Sequence, residues 1–177
     1  MKVRTFKPIA AALLVAGSLG ATAAHADGLY GGAALGAPRY QDDINGISGT
    51  GNGASGKVFA GYQFNPYFAL EAGYADLGHV DNSTGRIDGR AEYLDAVGML
   101  PLGSSKFSLL GSVGAAHVNL DTSAGDDGGN GLKLGLGAQY ALTDNVAFRA
   151  EAERYHADAF GTKPDIDQYT VGVRVGF

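Results

Sequence analysis

The stretch YTVGVRVGF, residues 169–177, alternates strictly between apolar residues and residues that are small or polar. Its apolar set comprises Tyr169, Val171, Val173, Val175 and Phe177. A period of two residues is typical of a β-strand whose two faces meet different surroundings. One face of this strand therefore requires an apolar cover, while the other holds Arg174 among glycines.

The same alternation recurs along the chain, and it predicts eight strands. They span residues 28–37, 55–64, 67–77, 89–100, 106–119, 131–140, 146–156 and 167–177. Strands of this length suit a bilayer, since a tilted strand needs ~9–11 residues to cross it.

The connections between these strands alternate in length. Short, turn-like segments at 65–66, 101–105 and 141–145 alternate with longer polar segments at 38–54, 78–88, 120–130 and 157–166. An even number of antiparallel strands with all tight turns at one end has this pattern. We therefore predict an all-β fold, an eight-stranded antiparallel up-and-down transmembrane β-barrel, whose closure leaves no strand edge unpaired.

The first 26 residues have the pattern of a secretory signal peptide. A basic start precedes the apolar residues 9–19, and residues 24–26 (AHA) form a small-residue cleavage site. The apolar run is too short to span ~30 Å of hydrocarbon as a helix. We expect residues 1–26 to be a cleaved signal peptide and residues 27–177 to form one barrel domain.

Composition excludes several classes of function. Without the signal peptide, 10 basic and 18 acidic residues remain, a net charge of −8, which argues against a nucleic-acid partner. The chain has no cysteine, so disulfides and thiolate metal sites are excluded. The 29 glycines are interleaved with apolar positions, which favours packed strands over flexible linkers.

The alternation assigns each strand an apolar face and a polar face. A soluble eight-stranded barrel of the lipocalin type would turn the apolar face inward, whereas a membrane barrel turns it toward lipid. Aromatic residues at the strand ends favour lipid, because they match the interfacial girdles of membrane barrels. They are Phe64, Phe68, Phe107, Tyr140, Phe148 and Phe177 at the short-turn end, with Tyr74 and Tyr169 at the opposite end.

With the apolar face outward, charged residues point into the barrel. The inward set comprises Lys57, Glu71, Asp95, Lys133, Arg149, Glu151, Glu153 and Arg174. Four positive and four negative charges balance. Buried charges are costly unless paired, so we expect these residues, Arg174 included, to contact partners of opposite charge.

Three segments resemble the eight-stranded transmembrane domain of the outer membrane protein A (OmpA) family. Residues 60–78 (AGYQFNPYFALEAGYADLG) are similar to its second hairpin, residues 137–155 (GAQYALTDNVAFRAEAERY) to its sixth and seventh strands, and YTVGVRVGF to its closing strand. The resemblance covers essentially the mature chain, and we expect no counterpart of the periplasmic peptidoglycan-binding domain of larger members. It implies a multi-pass barrel in the outer membrane of a Gram-negative envelope.

In that family, an inward Glu on the third strand pairs across the lumen with an inward Arg on the seventh, as a gate against water or ions. Glu71 and Arg149 match those positions. The family's alternative partners, a Lys on the fourth strand and a Glu on the sixth, correspond here to Val97 and Gln139. Two interpretations therefore stay open: a gate that switches, and charges that plug and order the lumen.

The resemblance implies a non-enzymatic barrel with a structural role in envelope integrity and surface-exposed loops. A narrow, porin-like gated pore for small solutes or ions is the alternative. A lipid A-modifying barrel enzyme is a third interpretation, but His79, His117 and His156 have no obvious serine and carboxylate at matched depth. A nucleophile needs a base within hydrogen-bond reach.

No cofactor is expected. The polar segments are rich in aspartate, and residues 121–130 (DTSAGDDGGN) lack the ligand spacing of an EF-hand, so we expect a solvated acidic surface rather than a metal site. The implied partners are outer membrane lipids and lipopolysaccharide, with periplasmic chaperones and the barrel assembly machinery during biogenesis. The resemblance also implies that this machinery reads an assembly signal in Phe177, Val175, Val173 and Tyr169.

Overall fold

The computed structural model describes residues 28–44, 47–50, 54–82, 85–122, 125–157 and 165–177; the predicted signal peptide lies outside them. The strands are β1 (Gly28–Ile44), β2 (Ile47–Thr50), β3 (Ser55–Asn65), β4 (Phe68–Asn82), β5 (Gly85–Pro101), β6 (Phe107–Thr122), β7 (Gly125–Ala141), β8 (Val146–Ala157) and β9 (Asp165–Gly176). Among the described residues, no helix is long and apolar enough to cross a membrane.

Eight of these strands close into a barrel. Each pairs antiparallel with its neighbours in the order β1-β3-β4-β5-β6-β7-β8-β9, and β9 pairs back onto β1. The short β2 pairs with β1 as the return arm of a hairpin beyond the barrel wall. This topology confirms the predicted eight-stranded antiparallel up-and-down barrel.

The strands are staggered, and the stagger can be read from the register. Following paired residues from Tyr30 through Glu71, Asp95 and Lys133 around the barrel returns to β1 at Tyr40, ten residues further along the strand. Such an offset tilts the strands and, for eight strands, leaves an interior that side chains fill. The lumen is therefore a packed interior and not a wide channel.

The outer wall is apolar. Leu136 and Val171 expose 73% and 66% of their surface, and the other outward positions of the middle of the wall are also apolar or glycine. Aromatic rings pair near the short turns, with Phe64 stacked on Phe68 and Phe107 against Tyr140, at centroid distances of 5.7 and 4.7 Å. This wall is suited to contact hydrocarbon, with an aromatic girdle at one end.

The long polar segments 38–54, 78–88 and 120–130 were predicted as loops, and for most of their length this is wrong. Most of the fourth segment, 157–166, lies outside the described residues. Residues 78–82 and 85–88 extend β4 and β5, and residues 120–122 and 125–130 extend β6 and β7. The ladder reaches Asp121 opposite Asp126. Strands that protrude into water have no apolar face to show, so the alternation disappears while the backbone pairing continues.

A bulge in β4 depends on glycine. The register between β4 and β5 shifts between Asp76 and His79, and Gly78 there has a φ of +70°. Its N–H donates to Asp76 Oδ1 at 2.8 Å, and a Cβ at this position would lie 2.8 Å from Pro38 Cγ. Glycine supplies both the left-handed backbone of such a bulge and the space for the proline of β1.

The outward position of Leu136 gives a first prediction. Leu136 lies in the middle of the outward row of β7 between Leu132 and Tyr140, so Leu136→Arg should place a charge near the bilayer midplane. The expected cost is about 2–4 kcal/mol of folding free energy in a bilayer. Urea titration of folding into phospholipid vesicles measures it.

Asn130→Arg is the matched control, because Asn130 continues the same outward row beyond the apolar wall. Its expected cost is about 0–1 kcal/mol, as for charges near the interface. Equal costs at both positions would contradict the assignment of this wall to lipid.

Candidate functional site

The candidate site is the polar lumen, and the eight charged residues predicted to point inward lie in it. Lys57, Glu71, Asp95, Lys133, Arg149 and Glu153 are buried, while Glu151 and Arg174 are half-buried. Each comes from the inward register of its strand, so that β3, β4, β5, β7, β8 and β9 all contribute. Their proposed roles as a gate or a plug stay predictions.

Two lysines organise the middle of the lumen. Lys133 Nζ lies 2.5 Å from Asp95 Oδ2 and 2.5 Å from Glu153 Oε1, and 4.1 Å from the ring centroid of Tyr93. Lys57 Nζ lies 2.9 Å from the same Glu153 oxygen and 2.6 Å from Glu151 Oε2. Glu153 is therefore shared between the two cations and joins β3, β7 and β8 across the barrel.

Arg149 continues this chain of ion pairs toward the short-turn end. Its Nη1 lies 2.7 Å from Glu71 Oε2 and 3.8 Å from Glu151 Oε1. The hydroxyls of Tyr30 and Tyr93 donate to Glu71 at 3.0 and 3.4 Å. The ion pairs thus run without interruption from Asp95 to Glu71, through alternating cations and carboxylates.

The two positions where the sequence departs from the family pattern have distinct surroundings. Val97 is buried inside the lumen, and its aliphatic side chain cannot form an ion pair with a carboxylate as a lysine would. Gln139 accepts a hydrogen bond from Arg149 Nε at 3.4 Å through its Oε1. The only additional carboxylate near Arg149 among the described residues is Glu151, which comes from its own strand.

Arg174 differs from the expectation that it would pair with a carboxylate. Its Nη2 donates to Gln63 Oε1 at 2.6 Å, and its guanidinium lies 4.1 Å from the centroid of the Tyr30 ring. Among the described residues, no carboxylate lies within 4.0 Å of it. The reason is position: Arg174 lies below the ion-pair chain, near the short-turn end, opposite Ala147 of β8 and Gly32 of β1.

An apolar layer covers the ion pairs on the opposite side. Leu77, Val118, Tyr155 and Ile166 are fully buried, and each lies further toward the loop end of its strand than the charged residues do. Gln168 Nε2 also reaches across to the carbonyl oxygen of Asp76 at 3.1 Å, which ties β9 to β4. The described lumen is thus closed by ion pairs and by an apolar layer in series.

The sequence reasoning missed the uncharged members of the lumen. Tyr30 and Tyr93 bond Glu71, and Gln63 bonds Arg174, although none carries charge. A signal was available, because each shares the strand parity of the charged residues. Tyrosine is amphipathic and is common on either face of a membrane strand, so its residue type alone does not separate lumen from lipid.

The outer wall carries a separate polar group above the apolar band. Arg154 donates to both carboxylate oxygens of Asp167, at 2.6 and 2.9 Å, and His156 contacts Asp165. His117 contacts Asn130 at 2.8 Å. Within the described ranges, no three His, Asp or Glu side chains are arranged to hold a metal ion. The side chain of His79 lies outside the described ones.

The family model for the outer membrane protein beta-barrel domain matches residues 9–177. Outer membrane protein A of Yersinia pseudotuberculosis is 30% identical over 169 residues, covering 84% of this chain and 48% of that relative. The chain therefore spans about half the length of this curated relative.

Solved structures share the fold. Neisserial surface protein A superposes with a TM-score of 0.60 at 20% identity, covering 88% of this chain and all of that one. The N-terminal barrel of OprF from Pseudomonas aeruginosa gives a TM-score of 0.56 at 17% identity, covering 83% and 97%. At such identities the similarity extends to the fold alone.

The shared carboxylate gives a second prediction. Lys133→Met should cost about 3–5 kcal/mol of unfolding free energy, because it leaves the buried Asp95 without its cation. Adding Asp95→Asn should recover roughly half of this loss or more, since Glu153 keeps Lys57 as a partner. Equilibrium unfolding of the refolded barrel in vesicles compares the three proteins.

Lys106→Met is the control with the same chemical change. Lys106 is exposed and donates only to the carbonyl oxygen of Leu142 at 3.4 Å among the described residues. Its loss should change stability by less than about 1 kcal/mol. If the double variant were as unstable as Lys133→Met, the uncompensated carboxylate would not be the cause.

Proposed function

Since the chain belongs to the outer membrane protein beta-barrel domain family and is therefore located in the outer membrane, we propose that it acts as a non-enzymatic structural barrel that contributes to envelope integrity. The observation that carries this proposal is the closed lumen. A chain of ion pairs from Asp95 to Glu71 fills its middle, and an apolar layer around Leu77 and Ile166 lies in series with it. A solute would have to displace both.

The ion pairs also support a second candidate, a narrow gated pore. Arg149 lies between Glu71 at 2.7 Å and Glu151 at 3.8 Å, so a small rotation of its guanidinium would exchange one carboxylate for the other. Such an exchange could open the short-turn half of the lumen. Conduction would still require the apolar layer to open, because that layer does not depend on the ion pairs and would stay closed when they rearrange.

We propose that the barrel performs no lipid modification. His117 and His156 lie exposed on the outer wall with Asn130 and Asp165 as their partners, and neither has a serine within hydrogen-bond distance among the described residues. A serine nucleophile requires a base that can take its proton. Incubation with lipid A, followed by analysis of its acyl chains, would detect an activity that this proposal excludes.

The proposed partners follow from the surfaces. The apolar wall and its aromatic girdle would contact outer membrane lipids and lipopolysaccharide, and the strand ends beyond the wall would face the surroundings of the cell. During biogenesis we expect periplasmic chaperones and the barrel assembly machinery to bind the unfolded chain. The proposed assembly signal comprises the outward residues Tyr169, Val173, Val175 and Phe177 in and beside β9.

Conductance gives the third prediction. In planar bilayers, wild type and Glu71→Ala should both lack sustained openings, because the variant breaks the ion pair of Arg149 but leaves the apolar layer in place. A variant that combines Glu71→Ala with Leu77→Ser should conduct, since it disrupts both layers. Single-channel recording at matched protein density compares the three.

Two outcomes would favour the pore over the structural barrel. Openings in wild type would show a conducting state directly, and openings in Glu71→Ala alone would make the ion pair the gate.

The detergent sensitivity of a strain that lacks the protein tests the structural role separately. Wild type and Glu71→Ala should restore resistance equally, and failure of wild type to restore it would contradict that role.

Assembly gives the fourth prediction. Phe177 donates its backbone N–H to Leu29 of β1 at 2.9 Å, and its ring continues the outward row of β9. Phe177→Ala should slow insertion into the outer membrane, measured as the fraction of protein with heat-shifted mobility on gels. Phe107→Ala removes an exposed girdle ring from β6 instead and should insert at close to the wild-type rate. If both variants inserted with the same delay, the cause would be the loss of an aromatic residue from the girdle, and the proposed assembly signal would be contradicted.

A further inference from the structure

The lumen opens at the short-turn end into a cavity that the ion-pair chain does not reach. Its volume is about 230 Å³. Polar residues from four strands and one turn line it: Gln63, Ser108, Gln139, Asn145 and Arg174, with Asp144 on the exposed turn. Short turns of outer membrane barrels face the periplasm. We call this cavity the periplasmic vestibule.

Arg174 is the cation of this vestibule, and its charge is incompletely satisfied. Nη2 donates to Gln63 Oε1 at 2.6 Å, while Nε is buried without a hydrogen-bond partner. Within the described part of the chain, Nη1 donates to no protein acceptor and no carboxylate lies within 4.0 Å of the guanidinium. A guanidinium stays charged, and burying its charge without an opposite charge is costly.

The inward carboxylates that form ion pairs are held by the other inward cations. Lys57 and Lys133 hold Glu151, Glu153 and Asp95, and Arg149 holds Glu71. These contacts leave the charge of the inward set balanced as a whole but unevenly distributed along the barrel. Arg174 is thus the inward cation without a direct carboxylate partner among the described residues, and in the lining of the vestibule it is accompanied only by Asp144 of the exposed turn.

Two amides present donors beside this charge. Gln63 directs its Oε1 to Arg174, and Gln139 directs its Oε1 to Arg149 Nε at 3.4 Å. In each case the arginine takes the amide oxygen, which leaves the amide NH₂ as a donor toward the cavity that both residues line. The Ser108 hydroxyl lines the same space. Cation and neutral donors thus converge on one volume.

We propose that the periplasmic vestibule binds a compact oxyanion, such as a phosphate group, on Arg174 with Gln63, Gln139 and Ser108 as further donors. Planar guanidinium groups suit such anions because two N–H groups can bond two oxygens at once. The volume admits a phosphate group but no bulky solute. Asp144 lines the same cavity and opposes the anion, so the affinity should be moderate and should rise when this carboxylate is neutralised.

The probe is inorganic phosphate, titrated at constant ionic strength into the isotopically labelled barrel in maltoside micelles, which contain no phosphate. Saturable shifts of the backbone amide resonances are expected for Gln63, Ser108, Gln139 and Arg174. The same titration in phosphatidylcholine nanodiscs distinguishes the source of the anion. If the same resonances shifted on transfer to the nanodisc, and added phosphate then caused no further change, the site would be assigned to a lipid headgroup.

Four variants test the assignment. Arg174→Gln should weaken phosphate binding about tenfold or more, the loss expected for one charge-assisted hydrogen-bonding group. Arg174→Lys, which keeps the charge without the planar donors, should bind with intermediate affinity. Arg154→Gln is the control: Arg154 lies on the outer wall, where it is already paired with Asp167, so this variant should bind phosphate as wild type does. Asp144→Asn should tighten binding.

The result that overturns the proposal is an absence of saturable shifts in wild type in both media. Retained phosphate affinity in a folded Arg174→Gln barrel would also overturn it, since the cation would then not hold the anion. Heat-shifted mobility on gels confirms that each variant is folded before titration. The conductance of the barrel does not enter these measurements, so their outcome is independent of whether the lumen conducts.

Discussion

The pairing of β1 with β9 is the constraint on which the rest of the structure depends. Hydrocarbon offers no partner to a backbone N–H or C=O group, so a sheet can cross a bilayer only if it has no free edge. The pairing from Tyr30–Gly176 to Tyr40–Ile166 removes both edges at once. It also fixes the offset of ten residues around the barrel, and with it the width of the lumen and the depth at which each inward side chain lies.

The lumen is narrow, and glycines provide the space in which its large side chains lie. A Cβ at Gly61 would lie 2.5 Å from the Tyr30 ring, and a Cβ at Gly73 would lie 2.5 Å from the Tyr93 ring. The two tyrosines therefore lie flat over glycines on neighbouring strands, where their hydroxyls reach Glu71. The packing of these aromatic rings inside a closed barrel therefore requires glycine at both positions.

Alternation, the lengths of the connections and the aromatic residues at the strand ends together predicted the closed barrel, its outward face and the inward parity of the charged residues. They could not predict which charges meet, because contacts across the lumen depend on the stagger, and no short-range pattern encodes it. The sharing of Glu153 by Lys57 and Lys133, and the position of Arg174 beside Gln63, follow from depth in the barrel. The strand extensions past residue 78 and residue 120 also escaped prediction, because a strand in water on both sides shows no alternation.

The number of partners that each inward cation has differs between the middle of the lumen and its open end. Where water is excluded, every cation has at least two oxygen partners: Lys133 contacts Asp95 and Glu153, and Lys57 contacts Glu151 and Glu153. Sharing has a physical advantage over separate pairs, because the loss of one contact leaves Lys57, Lys133 or Glu153 with another partner in a medium where an unpaired charge is costly. Arg174 lacks such partners, and it is also the inward cation closest to the open end of the barrel. Solvent and soluble anions can reach it there, so the same rule that pairs the central charges permits one cation to remain available at the mouth.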